Sequence, residues 1–277
     1  IVGASGDDPN DNTGANAGAS FVVFGKANGE VVELSAIATN SDNGGFVING
    51  VSGYDYSGCS VSNAGDVNGD GLDDLIIGAK YDGPSSDRSG ASFVVFGKAT
   101  GAAVELSDIE LNDNTGGFVI NGVSADDYSG SSVSGAGDVN GDGFDDLIIG
   151  AKGDDPNGDD SGASFVVFGK ADHAAVVELS TIELDDNTDG FVINGVSGGD
   201  NSGSSVSGAG DVNGDGFDDL IIGARGDGPN GDDSGASFVV FGKADHAAAV
   251  ELSAIEAGTY GFVINGVSGG DNSGWSV

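Results

Sequence analysis

Asp138, Asn140, Asp142 and Asp146 stand at positions 1, 3, 5 and 9 of the stretch DVNGDGFDD, with Gly143 at position 6. Oxygen-bearing side chains on alternate residues of a tight loop point inward together. That is the chemistry of a hard cation, and calcium takes six to eight oxygen ligands at roughly 2.3–2.6 Å. Gly143 permits a turn that a Cβ would make costly. Phe144, at position 7, offers its backbone carbonyl while its side chain is expected to enter the core. The same pattern recurs as Asp66, Asn68, Asp70, Leu72 and Asp74, and again as Asp211, Asn213, Asp215, Phe217 and Asp219. Three structural calcium sites are therefore expected. Magnesium suits the set less well, because it prefers a strict octahedron and keeps its waters. Without an ion, the stretch would be an acidic Asn-Gly/Asp-Gly hairpin, since those dipeptides turn by themselves.

A calcium loop between helices closes on glutamate at position 12, where this chain has Ile149. Closing on aspartate at position 9 makes the loop a hairpin between two strands, which accounts for the aliphatic residues that follow. Asp73, Asp145 and Asp218 precede the last ligand and are expected to face solvent.

The loops belong to a repeat. The Ser-Gly dipeptide before xSVS, or its counterpart, falls at Ser57, Ser129, Ser202 and Ser273, in steps of 72, 73 and 71 residues. This divides one repeat domain, 1–277, into a partial unit 1–56, full units 57–128, 129–201 and 202–272, and the start of another at 273–277. Within the middle unit, four segments read as strands: Ser131–Gly137, Asp146–Ala151, Ala163–Lys170 and Gly190–Val196. The stretch VVELSTIEL between the last two reads as an extra strand or a single helical turn. Consecutive apolar residues in the second and third strands require cover on both faces. The small residues of the first fit a crowded axis. Four-stranded antiparallel units of this kind describe all-β propeller blades.

Composition narrows the function classes. Forty-five acidic residues against 8 Lys and Arg give a net charge of −37, which repels nucleic acid and anionic membranes. A hydrophobic content of 38% argues for a folded chain despite that charge. The 53 glycines follow no G-X-Y period and there are only 4 prolines, which excludes collagen. Cys59 is the single cysteine, so no intramolecular disulfide forms. No apolar run reaches the length of a membrane helix. The sequence begins in mid-repeat without methionine, so any signal peptide would lie outside it.

The unit resembles the FG-GAP repeat of integrin α-subunit β-propellers and of many bacterial surface proteins. DVNGDGFDDLIIGA carries the likeness, which extends over the whole chain. The name-giving motifs depart from the pattern: Phe-Gly reads Ser129-Gly130, and Gly-Ala-Pro reads Gly150-Ala151-Lys152. The resemblance implies about four blades, as a closed ring or an open array, in a secreted or cell-surface protein of bacterial type. The expected function is a calcium-stabilised structural or adhesive repeat protein. It would self-associate or meet neighbouring copies of the same repeat, assembling head to tail into a fibre through complementary strand ends. The alternative is a lectin-like or integrin-like module that binds surface glycans or proteins. That reading requires aromatic side chains gathered on one face, drawn from Tyr54, Tyr56, Tyr81, Tyr128, Tyr260 and Trp275.

No motif supports an enzyme. His173 and His246 share a column in KADHAA without an associated nucleophile and read as surface loop residues. The acidic loops 153–164 and 226–237 read as solvated turns. Cys59, Ser131, Ser204 and Trp275 share a column too varied for a tightly packed core site.

Overall fold

Each apolar run forms a strand because it has neighbours on both sides. In the middle unit, 129–201, these strands are Ser132–Gly137, Asp146–Ala151, Ala163–Val167 and Gly190–Asn194, hydrogen-bonded in that order and antiparallel throughout. Leu147 and Ile149 pack with Ile76 and Val94 of the preceding sheet. Ile148 packs with Leu220 and Ile222 of the following one. Successive side chains of a strand point to opposite faces, so DLIIGA can be apolar at every position only when both faces are covered. The computed structural model describes residues 1–8, 15–27, 29–39, 44–98, 101–111, 115–184 and 188–277.

Among the described residues four such sheets form in chain order. VVELSTIEL is both things the sequence allowed, a strand Val176–Glu178 followed by a helical turn Leu179–Leu184. The short strand does not join its own unit. It pairs in parallel with Gly117–Asn121 of the preceding sheet, adding a fifth strand to the four expected. Val104–Glu105 and Ala249–Glu251 pair in the same way with the first and third sheets, as their fourth and fifth strands. An Asn–Glu side-chain bond marks each seam, from Asn49 to Glu105 (2.6 Å), Asn121 to Glu178 (2.9 Å) and Asn194 to Glu251 (2.8 Å).

The inner strands are small because their neighbours leave no room. A Cβ on Gly135 would lie 2.7 Å from the carbonyl oxygen of Asn63 in the adjacent inner strand, and one on Gly150 would lie 2.0 Å from that of Gly203. The Ser-Gly dipeptide that marks the repeat is thus wedged between consecutive blades.

The blades are of propeller type, in an open array. Phe262 and Ile264 on the last sheet are 45% and 47% exposed, whereas their counterparts Phe118 and Ile120 are fully covered. At the other end, among the described residues, Val2–Ala4 pairs only with Ala19–Val23. The terminal segment stays on the fourth sheet, where the Val277 amide donates to Ser205 Oγ (2.8 Å). Closure into a ring within this chain, one of the two arrangements expected, is therefore not the arrangement found.

Candidate metal centre

The loop from Gly137 to Asp146 joins the inner strand to the second strand of its blade. Its side chains are held by its own amides. Asp138 Oδ1 accepts from Gly141 (2.7 Å) and Asp142 (3.1 Å), and Oδ2 accepts from Gly143 (3.0 Å). Asn140 Oδ1 accepts from the Asp142 amide (2.8 Å), and its own amide donates to Asp142 Oδ2 (3.0 Å). Asp142 Oδ1 accepts from Phe144 (3.0 Å). Gly143 has φ +92°, the left-handed conformation expected of it. Asp66, Asn68, Asp70 and Leu72 repeat this pattern, as do Asp211, Asn213, Asp215 and Phe217.

Asp74, Asp146 and Asp219 are fully buried. Asp146 accepts from Val139 (2.9 Å) and from Gly169 on the third strand (2.9 Å), so it ties the loop to two strands. Burial pushes its carboxyl up to about 8, and the nearby Asp142 and Asp138 add repulsion. Asp74 is raised to about 6, again chiefly by burial. Among the described residues none of the three forms an ion pair. Nor do any three acidic, histidine or cysteine side chains there stand close enough to share one ion. The fit to calcium therefore rests on donor chemistry: carboxylates, an amide oxygen and a backbone carbonyl around a buried carboxylate that lacks a counter-charge.

Two expectations about the loop are overturned. Asp145 and Asp218 are half-buried and turned towards the preceding loop, where their Oδ2 atoms accept the amides of Asp66 (2.8 Å) and Asp138 (3.0 Å). Their own amides donate to the carbonyls of those same residues (3.4 and 3.2 Å). Asp73, with no loop before it in this chain, is exposed as expected. Nor does the Phe144 ring enter the core. It lies over the previous loop, where a Cβ on Gly69 would come within 2.6 Å of Phe144 Cε1, and Phe217 covers Gly141 in the same way. The second and third loops thus each grip the one before. The Asp-Asp pair in every copy was the available signal.

His173 and His246 are buried, not surface residues. Their rings stack on Phe118 and Phe191 at 4.2 and 4.0 Å, closing the outer seam between blades. Their Nε2 atoms accept the amides of Lys170 (3.1 Å) and Lys243 (3.2 Å). Burial lowers both imidazoles to about 4, so both are neutral near pH 7. The acidic loops form hydrogen-bonded turns; Asn157, for example, reaches the Gly195 carbonyl (2.8 Å). In the variable column, Ser131 and Ser204 donate to the carbonyls of Gly150 and Gly223 (both 3.3 Å), and Cys59 Sγ lies 3.4 Å from that of Gly78. Trp275 stays 62% exposed.

The family model described as FG-GAP repeat matches residues 60–95, 129–167 and 202–240, each span running from the inner strand through the metal loop to the third strand. Integrin alpha-4 of Xenopus laevis is 30% identical over 172 residues, covering 61% of this chain and 14% of the relative. Integrin alpha-5 of Xenopus laevis is 32% identical over 177 residues, covering 62% and 15%. Integrin alpha-7 of Rattus norvegicus is 31% identical over 176 residues, covering 64% and 13%. The chain thus matches only a small part of these much longer relatives.

Proposed function

We propose that this FG-GAP repeat protein, similar to integrin alpha subunits, is an extracellular adhesive module whose blades are stapled by calcium. The reading rests on the recurrence of one oxygen-only donor set around a buried carboxylate, at Asp74, Asp146 and Asp219. Asp138, Asn140, Asp142, the Phe144 carbonyl and Asp146 would hold the ion in the middle loop, with the matching residues in the other two. Calcium there would supply a counter-charge and a cross-link between the first two strands of a blade. The loop residues do the rest, binding through oxygen and, at position 8, bracing the loop before. An affinity suited to millimolar extracellular calcium is enough for this role.

Chelation tests the proposal. Thermal unfolding with EDTA is expected well below that in calcium, with recovery when calcium is restored and not when magnesium is. An unchanged melting curve would overturn it.

Adhesion through further blades of the same kind is supported by the internal seams, where the outer face of one blade, at Phe118 and Ile120, is fully covered by the next unit. Such a face suits head-to-tail association, the fibre-forming arm of this proposal. The runner-up, a binding module for glycans or proteins, is supported by Tyr56, Tyr81 and Tyr128, whose rings meet edge-on at 5.2 and 5.7 Å. No catalysis is proposed, since the two histidines are committed to packing.

A further inference from the structure

Lys80, Lys152 and Arg225 share one column of the repeat, each following the Gly-Ala that ends its second strand. Strand pairing sets Gly150 opposite Ser132, so Lys152 lies beside the start of the inner strand, at the opposite end of the blade from the metal loop. Lys80, Lys152 and Arg225 line one cavity of about 290 Å³ together with Ser131, Ser204 and Trp275.

The convergence is unusual for this chain. It has only 8 cationic side chains against 45 acidic ones, so a surface cation should find a carboxylate easily. Arg88 and Lys170 do, at 2.7 Å from Asp126 and Asp189. Among the described residues, Lys80, Lys152 and Arg225 form no ion pair. Arg225 instead donates to the Asn201 side chain (3.2 Å) and lies 4.6 Å above the Trp275 ring. Lys80 and Lys152 lie over Tyr81 and Tyr128, at 5.1 and 5.7 Å. Aromatic faces hold cations without neutralising them. Three like charges gathered at one small site repel one another, and an anion would relieve that.

We propose that this cavity binds the acidic group of a sugar residue at the end of a glycan, a uronate carboxylate or a sulfate ester. The volume is at the small end for ligand sites, which suits one such group. Arg225 and the lysines would take its oxygens, Ser131 and Ser204 offer hydroxyls, and the open face of Trp275 suits a sugar ring. A whole acidic protein would meet the repulsion of the −37 surface. A single acidic sugar reaching the cavity feels mainly charges within a Debye length, about 8 Å at physiological salt. The inference does not depend on calcium, because the metal loops lie at the other end of the blades.

Trp275, the only tryptophan, makes the site readable by fluorescence in the full chain. Titration with a glucuronate-containing disaccharide and with its sulfated counterpart is expected to give a saturable change for at least one of them. A neutral disaccharide should give none. Lys152→Gln and Arg225→Gln should each weaken binding about tenfold or more, with far-ultraviolet circular dichroism unchanged. If Arg225→Gln fails to fold, Lys80→Gln serves in its place. Three results would overturn the proposal: no response to either acidic sugar, an equal response to the neutral one, or equal affinity for inorganic sulfate or an oligo-aspartate peptide. Loss of stability in EDTA with this binding intact would leave the two proposals separately judged.

Discussion

The first and second metal loops have the same spacing but different surroundings. In the second, Phe144 lies over Gly69 and Asp145 holds the Asp66 amide. In the first, among the described residues, no loop precedes the equivalent residues: Leu72 is 45% exposed and Asp73 is exposed too. Asp146 is pushed up to about 8 by burial, Asp74 only to about 6. The side chains at positions 1, 3, 5 and 9 therefore serve the loop itself, and those at positions 7 and 8 serve the contact between loops. Propeller blades, like other repeats, draw stability from such nearest-neighbour interfaces, so one motif should be worth different amounts in its different copies.

The strongest test of that difference is the buried carboxylate. Asp146→Ala leaves the amides of Val139 and Gly169 without acceptors inside the protein, at a cost of about 1–3 kcal/mol each. A loss of about 3–5 kcal/mol is expected in urea unfolding. Asp74→Ala should cost less, because its loop is more open. Equal losses would erase the distinction between the copies.

Acid should act next, through the seam that Lys170 and His173 close against the first loop. The Lys170 amide is shared between Val67 O (2.9 Å) and His173 Nε2. His173 titrates near 4 in the fold and near 6.5 in the unfolded chain. The unfolded state therefore binds more protons between those values. The histidine's contribution is complete above pH 6.5 and is lost as pH falls towards 4. The full loss is about 3 kcal/mol at this residue. The buried carboxylates titrate in the same range with the opposite sign, so the measurement is the difference between the parent and His173→Phe across pH 4 to 7. A flat difference would show that the ring is not held neutral.

Much of this architecture was legible because short-range physics set it. The loop spacing, the small inner strands and the doubly covered Leu147–Ile149 run each record a local constraint. What escaped depends on residues far along the chain. Val176–Glu178 is too short to announce a partner, and it pairs with the unit before. His173 reads as polar, and only the neighbouring Phe118 makes its place a stacking site. Lys80, Lys152 and Arg225 were visible as a column, but their convergence on one cavity follows from how successive blades stand around their inner strands.

Removing the ring that bridges loops should cost less than either change above. Phe144→Ala uncovers Gly69 and is expected to lose about 1–2 kcal/mol, in keeping with a half-buried aromatic. Leu72→Ala, which covers no earlier loop, should fall within about 0.5 kcal/mol of the parent. Denaturant midpoints compare them directly, and similar shifts would mean that the ring contributes only to its own loop.

The smallest effect isolates the contact itself. Asp145 Oδ2 accepts a single backbone amide, from Asp66, in a partly exposed setting. A hydrogen bond to a charged group is worth about 1.5–3 kcal/mol when sheltered, so roughly 1 kcal/mol is reasonable here. Asp145→Ala should lose that amount and Asp73→Ala almost nothing. Asp145→Asn keeps an acceptor and removes a charge from a crowded acidic region, so it should recover most of the loss. That recovery separates a hydrogen bond from simple relief of repulsion, under which Asp145→Ala and Asp145→Asn would both stabilise. The same two substitutions at Asp218, which holds the Asp138 amide at 3.0 Å, should repeat the pattern. Agreement there would place the effect at the contact between loops, where the first copy has none.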